Sequence, residues 1–342
     1  MLYPKNLEKG YKIGVTATSD GLAKETDINR LENGIKHFQN LGYPVVETKN
    51  VRTSIKGRSS DGRTRAVEFM DLVNDPEIRV ILAASGGDYL VEMLTYIDFE
   101  TIKRNPTWVQ GYSDTTGLTF TITTNLDIAT IYASNFSSFG MEPWHSSLED
   151  CIKILEGKDF LQHSYEKYQD GFVDKITGLE PYVLEKDVVW KNQYPKDWPL
   201  ENEICVQGRT LGGCLDVLLN LVGTRFDQTK EFIQKYKNDG ILWFLETYDL
   251  SSEDIIRGLW QLKEAGWFQY AKGFIFGRPA MFRSYTDTSY EEAVCSVLGE
   301  FNLPIIFDVD IGHKPPQLTM INGAIATITS RDGKGNILFE RR

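Results

Sequence analysis

Between Tyr11 and Tyr132 the chain alternates short apolar runs with stretches of helical period, joined by short links. Residues 11–18 (YKIGVTAT) read as a first strand, and Ile28, Leu31, Ile35, Phe38 and Leu41 then recur at helical spacing. Pro44-Val45-Val46 is a short strand, and residues 61–73 suit a helix with Ala66, Phe69, Met70 and Val73 on one face. Residues 79–84 are apolar with little alternation, as in a strand covered on both faces. Ser85-Gly86-Gly87-Asp88 turns into a helix through Leu90, Met93 and Leu94. A strand at 108–111, a helix at 114–124 and a strand at 128–132 continue the rhythm. This alternation predicts an α/β fold with a doubly wound, mostly parallel sheet.

The chain has 342 residues, more than the ~250–300 at which single cores stop growing. Two domains are expected. Residues 158–205 carry no sustained period and are rich in Tyr, Trp, Lys, Asp and Pro. They read as a connector with a surface loop able to reach an active site. The expected division is an N-terminal domain at 1–160, a connector at 161–203 and a C-terminal domain at 204–342. In the last of these, 214–222 reads as helix, and 240–245, 272–277 and 304–309 as buried strands. Ser251-x-x-Asp254 and Thr288-x-x-Glu291 look like capping boxes opening two helices. Residues 319–329 and 335–341 suit a closing hairpin around Asp332-Gly333-Lys334-Gly335.

With 48 acidic and 37 basic side chains the net charge is −11, which disfavours binding to a nucleic-acid polymer or an anionic membrane. No run of ~18 apolar residues is present, as a membrane span would need. The N-terminus lacks the apolar core of a signal peptide, so a cytoplasmic protein is expected. Cys151, Cys205, Cys214 and Cys295 form no Cys-x-x-Cys pair and none has a His at metal-ligand spacing. Free thiols are therefore expected, with no metal and no cofactor.

The chemistry-bearing candidates sit at strand ends. In Gly111-Tyr112-Ser113-Asp114-Thr115, Ser113 lies between a buried strand and a helix, where open α/β sheets place their sites. Gly111 permits a tight nucleophile elbow, although Thr115 stands where such elbows usually have glycine. The N–H of Asp114, at a helix N-terminus, is placed to stabilise an oxyanion. A plain N-cap serine fits the same position. Ser85-Gly86-Gly87 lacks the residues of a P-loop or a dinucleotide fingerprint. It reads instead as the donor of a second oxyanion N–H, from Gly86 or Gly87, or as a simple tight turn.

A serine nucleophile needs a base. His37 lies on the polar face of a helix, His163 in the connector and His145 in a loop. His313 is held between Gly312 and Lys314-Pro315-Pro316 after a strand, a place for a fixed base as much as for a surface loop histidine. Glu246 ends the apolar run 241–245, where a charge is costly to bury unless paired. It is the candidate orienting carboxylate, with Asp249, Asp308 and Asp310 as rivals. Ser113, Glu246 and His313 fall in the order nucleophile, acid, base.

Taken together these motifs resemble the LD-carboxypeptidase and microcin C immunity family of serine peptidases, over nearly the whole chain. The resemblance rests on 58–88, Gly111-Tyr112-Ser113-Asp114-Thr115-Thr116, Gly208-Arg209-Thr210-Leu211-Gly212-Gly213-Cys214-Leu215, Leu245-Glu246 and Asp310-Ile311-Gly312-His313. It implies a flavodoxin-like N-terminal domain and a smaller C-terminal α/β domain with a β-rich swivelling-type core. It also implies a Ser113–Glu246–His313 triad, no metal, and a homodimer. The implied substrate is a murein tetrapeptide losing its terminal D-alanine, or a peptidyl- or aminoacyl-nucleotide. Many carboxypeptidase members carry Arg-Gly-Gly where this chain has Ser85-Gly86-Gly87, so any substrate contact there falls to Ser85. Immunity-type members stack a nucleotide base on a loop aromatic. Trp190 is the candidate platform, with packing of the loop onto its domain as the other reading. Two alternatives stand beside the peptidase: a non-catalytic two-domain protein binding a small ligand, and an α/β-hydrolase-type esterase.

Overall fold

The computed structural model describes residues 1–158, 160–198 and 203–341. It divides into two compact units, Met1–Lys158 with Val173–Tyr182, and Asp159–Phe172 with Val183–Arg342. The stretch expected to be a separate connector is thus shared out: 173–182 belongs to the first unit and its flanks to the second.

In the first unit the elements run β1 (Lys12–Thr16), α1 (Glu25–Asn40), β2 (Val45–Glu47), α2 (Gly62–Asn74), β3 (Ile78–Ala83), α3 (Val91–Leu94), α4 (Phe99–Arg104), β4 (Trp108–Gln110), α5 (Thr116–Leu126), β5 (Thr130–Tyr132) and α6 (Ser146–Leu155). These five strands are parallel in the order β5-β4-β3-β1-β2. That is the flavodoxin-like order, whose ligand crevice lies at the carboxyl ends of the strands beside the switch point. The unalternating apolar run of β3 is explained by its place at the centre, with Val80 to Ala83 all buried. Asp61 caps α2 by accepting the Thr64 N–H at 3.0 Å. Helix α5 is threonine-rich yet almost wholly buried. Its hydroxyls are satisfied inside the helix, Thr121 donating to Gly117 O at 2.7 Å and Thr124 to Phe120 O at 2.9 Å.

The second unit contains β6 (Gln162–His163), β7 (Lys167–Tyr168), β8 (Lys186–Asp187), β9 (Lys191–Gln193), β10 (Glu203–Cys214), α7 (Leu215–Leu221), α8 (Thr229–Lys235), β11 (Ile241–Glu246), α9 (Ser252–Glu264), β12 (Ala271–Gly277), α10 (Tyr290–Leu298), β13 (Ile305–Val309), β14 (Met320–Asn322), β15 (Ile325–Arg331) and β16 (Lys334–Glu340). Its eight-stranded sheet has the order β6-β16-β15-β10-β11-β12-β13-β9. Strands β10 to β13 are parallel, and β15 and β16 form the expected closing hairpin. This unit is not the smaller one expected, because β10 and the connector strands β6 and β9 enlarge its sheet. The capping box that opens α10 is Ser289 with Glu292, one residue later than expected. Both registers of Thr-Ser-Tyr-Glu-Glu match the pattern. Among the described residues no helix is long and apolar enough to cross a membrane.

Candidate active site

Three turns meet at the carboxyl edge of the first sheet: the one after β1, the glycine turn after β3, and the turn after β4. The last carries Ser113 at φ +62°, a left-handed conformation that a non-glycine residue adopts only where its surroundings enforce it. The enforcement is visible. The Tyr112 N–H donates to Asn135 Oδ1 at 3.1 Å, and the Ser113 N–H to Tyr132 Oη at 3.4 Å. Gly111 is required here, since a Cβ would lie 2.7 Å from Thr115 Cγ2 and 2.8 Å from Asn135 Oδ1. The Thr115 methyl thus occupies the space that Gly111 leaves. Ser113 is no N-cap: neither the 3-10 turn it opens nor α5 has a side-chain cap bond. The hydroxyl is left for other work, on a half-buried residue.

Gly86 lies against this serine. A Cβ there would sit 3.0 Å from both Ser113 Cβ and Oγ, and 3.9 Å from the Asp114 nitrogen. The backbone N–H groups of Gly86 and Gly87 have no hydrogen-bond acceptor among the described residues. The two glycines and Asp114 therefore bring backbone donors to the surroundings of Ser113 Oγ. Ser85 is spent locally, its hydroxyl donating to Asp20 O at 2.8 Å. It holds the glycine turn to the turn after β1.

In the second unit Glu246 ends β11 fully buried, and its Oε2 lies 2.8 Å from His313 Nδ1. A carboxylate can only accept, so Nδ1 carries the proton and Nε2 is the basic nitrogen. Gly312, at φ +96°, allows the approach, since a Cβ on it would lie 2.5 Å from Glu246 Oε2. The Tyr248 ring packs against the imidazole, with centroids 4.8 Å apart. Asp216 secures that tyrosine by accepting the Tyr248 and Asp249 N–H groups at 3.0 and 2.9 Å. Burial, and then the like charge of Glu246, push the Asp216 carboxyl up. The Cys214 thiol is raised by burial and by the same two carboxylates.

The rival carboxylates have other partners. Asp310 pairs with Arg278 at 2.8 Å, Asp308 with Lys191 at 2.8 Å, and Asp249 with Arg283. Of the two readings of Trp190, the structure has the packing one. It is 2% exposed, its indole Nε1 donates to Asp310 Oδ2 at 3.0 Å, and its ring covers Gly335. It braces the loop that bears His313. His145 caps α6, accepting the Ser147 N–H at 3.1 Å, and His37 bonds Asn33. Among the described residues no three His, Cys, Asp or Glu side chains gather as a metal site. Sequence reasoning missed Ser19, Tyr132, Asn135 and Asp216. Of these only Ser19 carried a signal, its place at the end of β1 beside the switch point.

Family models for the LD-carboxypeptidase N-terminal and C-terminal domains match residues 13–133 and 207–328. The chain belongs to the LD-carboxypeptidase family. A putative carboxypeptidase of Vibrio cholerae is 28% identical over 96% of this chain and 95% of its own. The microcin C7 self-immunity protein MccF of Escherichia coli is 29% identical over 89% and 86%. A solved structure of MccF in complex with aspartyl sulfamoyl adenosine superposes with a TM-score of 0.81 and 27% identity, covering 100% of this chain and 99% of that one. Membership of this family sets the α/β-hydrolase-type esterase alternative aside.

Proposed function

We propose that the protein is a serine peptidase that hydrolyses an amide bond in a small peptide-derived substrate, with Ser113 as nucleophile, His313 as base and Glu246 as the orienting acid. The observation that carries the reading is the buried Glu246–His313 pair, which sets the imidazole in the tautomer a general base needs. The strained, uncapped Ser113 supports it from the other unit. In the proposed reaction His313 Nε2 takes the Ser113 proton as Oγ attacks the amide carbonyl. The N–H groups of Asp114 and of Gly86 or Gly87 hold the oxyanion. The imidazolium, stabilised by Glu246, then protonates the leaving nitrogen as the C–N bond breaks. Water, deprotonated by His313, attacks the acyl-enzyme and releases Ser113.

The relatives point to two substrate classes, a peptide such as the murein tetrapeptide and an aminoacyl- or peptidyl-nucleotide. The resemblance to MccF, whose solved structure holds aspartyl sulfamoyl adenosine, supports the second. Burial of Trp190 removes the stacking surface that had linked the connector to a nucleotide base. The test incubates the protein separately with a murein tetrapeptide and a peptidyl-adenylate analogue, using Ser113→Ala as the blank. One of the two is hydrolysed, and Ser113→Ala abolishes that activity at an unchanged Tm. Hydrolysis of either at the parent's rate by Ser113→Ala would remove Ser113 from the mechanism.

A further inference from the structure

The carboxylate of Asp114 has no part in the reaction just described, yet it bonds to two other turns. It is 4% exposed. Its Oδ2 accepts the Leu90 N–H at 2.8 Å, and it also accepts the hydroxyl of Ser19. Ser19 is fully buried, accepts the Tyr89 N–H at 3.0 Å, and stands where a Cβ on Gly87 would come within 2.3 Å of its Oγ. The Asp20 N–H donates to Gly86 O at 3.2 Å. The buried guanidinium of Arg65 donates to Thr18 O and Tyr89 O, both at 3.0 Å. The turns that follow β1, β3 and β4 are therefore tied together through one side chain.

Its chemistry suits that task. A buried carboxylate is costly unless its oxygens are satisfied. Among the described residues it makes no close ion pair; its hydrogen-bond donors are neutral, and the Arg65 guanidinium adds a favourable charge nearby. Burial raises the Asp114 carboxyl, and the Ser19 and Leu90 donors oppose that shift. An acceptor-only group matches two converging donors, which an alanine cannot and an asparagine can in part.

We propose that the Asp114 side chain is a positioning residue, clamping the nucleophile turn to the Gly86–Gly87 turn so that amides from both face one oxyanion. The inference rests on the serine-nucleophile reading. It assigns a function to the side chain of a residue whose backbone alone was used there.

The test measures phosphonylation of the full-length protein by a fluorophosphonate. Ser113 Oγ forms a bond to phosphorus, the P–F bond breaks, fluoride leaves, and the hydroxyl proton passes to His313. Charge gathers on the phosphoryl oxygen as it would on an oxyanion. Asp114→Ala should lower the limiting labelling rate by about 10–10²-fold, the scale of a lost oxyanion donor, with the half-saturating concentration within about threefold. Asp114→Asn should recover most of that loss. Ser19→Ala removes one arm of the clamp, and should slow labelling by about three- to tenfold at a parent-like Tm. It carries the test if Asp114→Ala does not fold. Parent-like labelling in both alanine variants would overturn the clamp while leaving Ser113 as nucleophile. A parent protein that is not labelled at Ser113 would overturn the nucleophile reading, and the clamp's catalytic role with it.

Discussion

Gly86→Ala separates the catalytic account from ordinary packing. The added Cβ would lie 3.0 Å from both Ser113 Cβ and Oγ. Carbon atoms prefer about 3.5–4.0 Å, so the serine must retreat by about half an ångström. The hydroxyl can swing away, but Cβ moves only with a backbone already held at φ +62°. Gly86 is not in the left-handed region, so alanine adds no backbone strain. It also lowers the entropy of the unfolded chain, worth about 0.4–1 kcal/mol in favour of folding. Stability should stay near that of the parent. A misplacement of about 1 Å costs on the order of 10²-fold in rate, so half of that costs about tenfold. Crowding the oxyanion space near the Asp114 nitrogen, 3.9 Å away, adds to it. The expected fall in kcat/KM is about 10–10²-fold, or roughly 1.4–2.7 kcal/mol. Initial rates on the hydrolysed substrate, with calorimetric Tm as the control, measure it. A folded Gly86→Ala within twofold of the parent would refute the placement of Gly86 against a working nucleophile.

Trp190→Phe keeps an aromatic ring but a smaller one, and deletes the donor to Asp310. It should destabilise the fold by about 1–3 kcal/mol in urea titrations, the cost of a buried acceptor losing a partner, and leave KM unchanged. A large rise in KM with intact stability would make Trp190 a ligand surface. Glu180 accepts the Ile176, Thr177 and Gly178 N–H groups. The backbone of Thr177 leads in holding its carboxyl at about 2, below the ordinary 4.5. A depressed carboxyl stabilises fully above the unfolded value and loses that contribution as pH falls through the folded one. Amide-exchange protection at 176–178 should therefore fade from about pH 4.5 to 2. In Glu180→Ala it should be low throughout, and flat protection in the parent would contradict this.

The first unit was legible because its strands are short, apolar and separated by helices of clear period, so β1 to β5 fall where the pattern put them. The placement of Ser113, Glu246 and His313 was legible for a related reason: each ends or follows such a strand. What escaped depended on partners distant in sequence. Strand β10 escaped, because Gly208, Gly212 and Gly213 lower its strand propensity. The sheet explains them: at Gly212 a Cβ would lie 1.7 Å from Phe244 O of the neighbouring strand. Trp190 lies in a polar stretch that suggested a surface, yet Asp310 and Gly335, which bury it, are more than a hundred residues away. The Asp114 clamp was illegible for the same reason, since its ligands come from two other turns.

The central proposal is that Ser113 and His313 share one proton transfer. The most direct measurement compares kcat for Ser113→Ala, His313→Ala and the double variant. Residues that share one proton transfer lose nearly everything at the first substitution. The double variant should therefore be no slower than either single one. Losses that multiply, each variant keeping its own share of the rate, would contradict the claim.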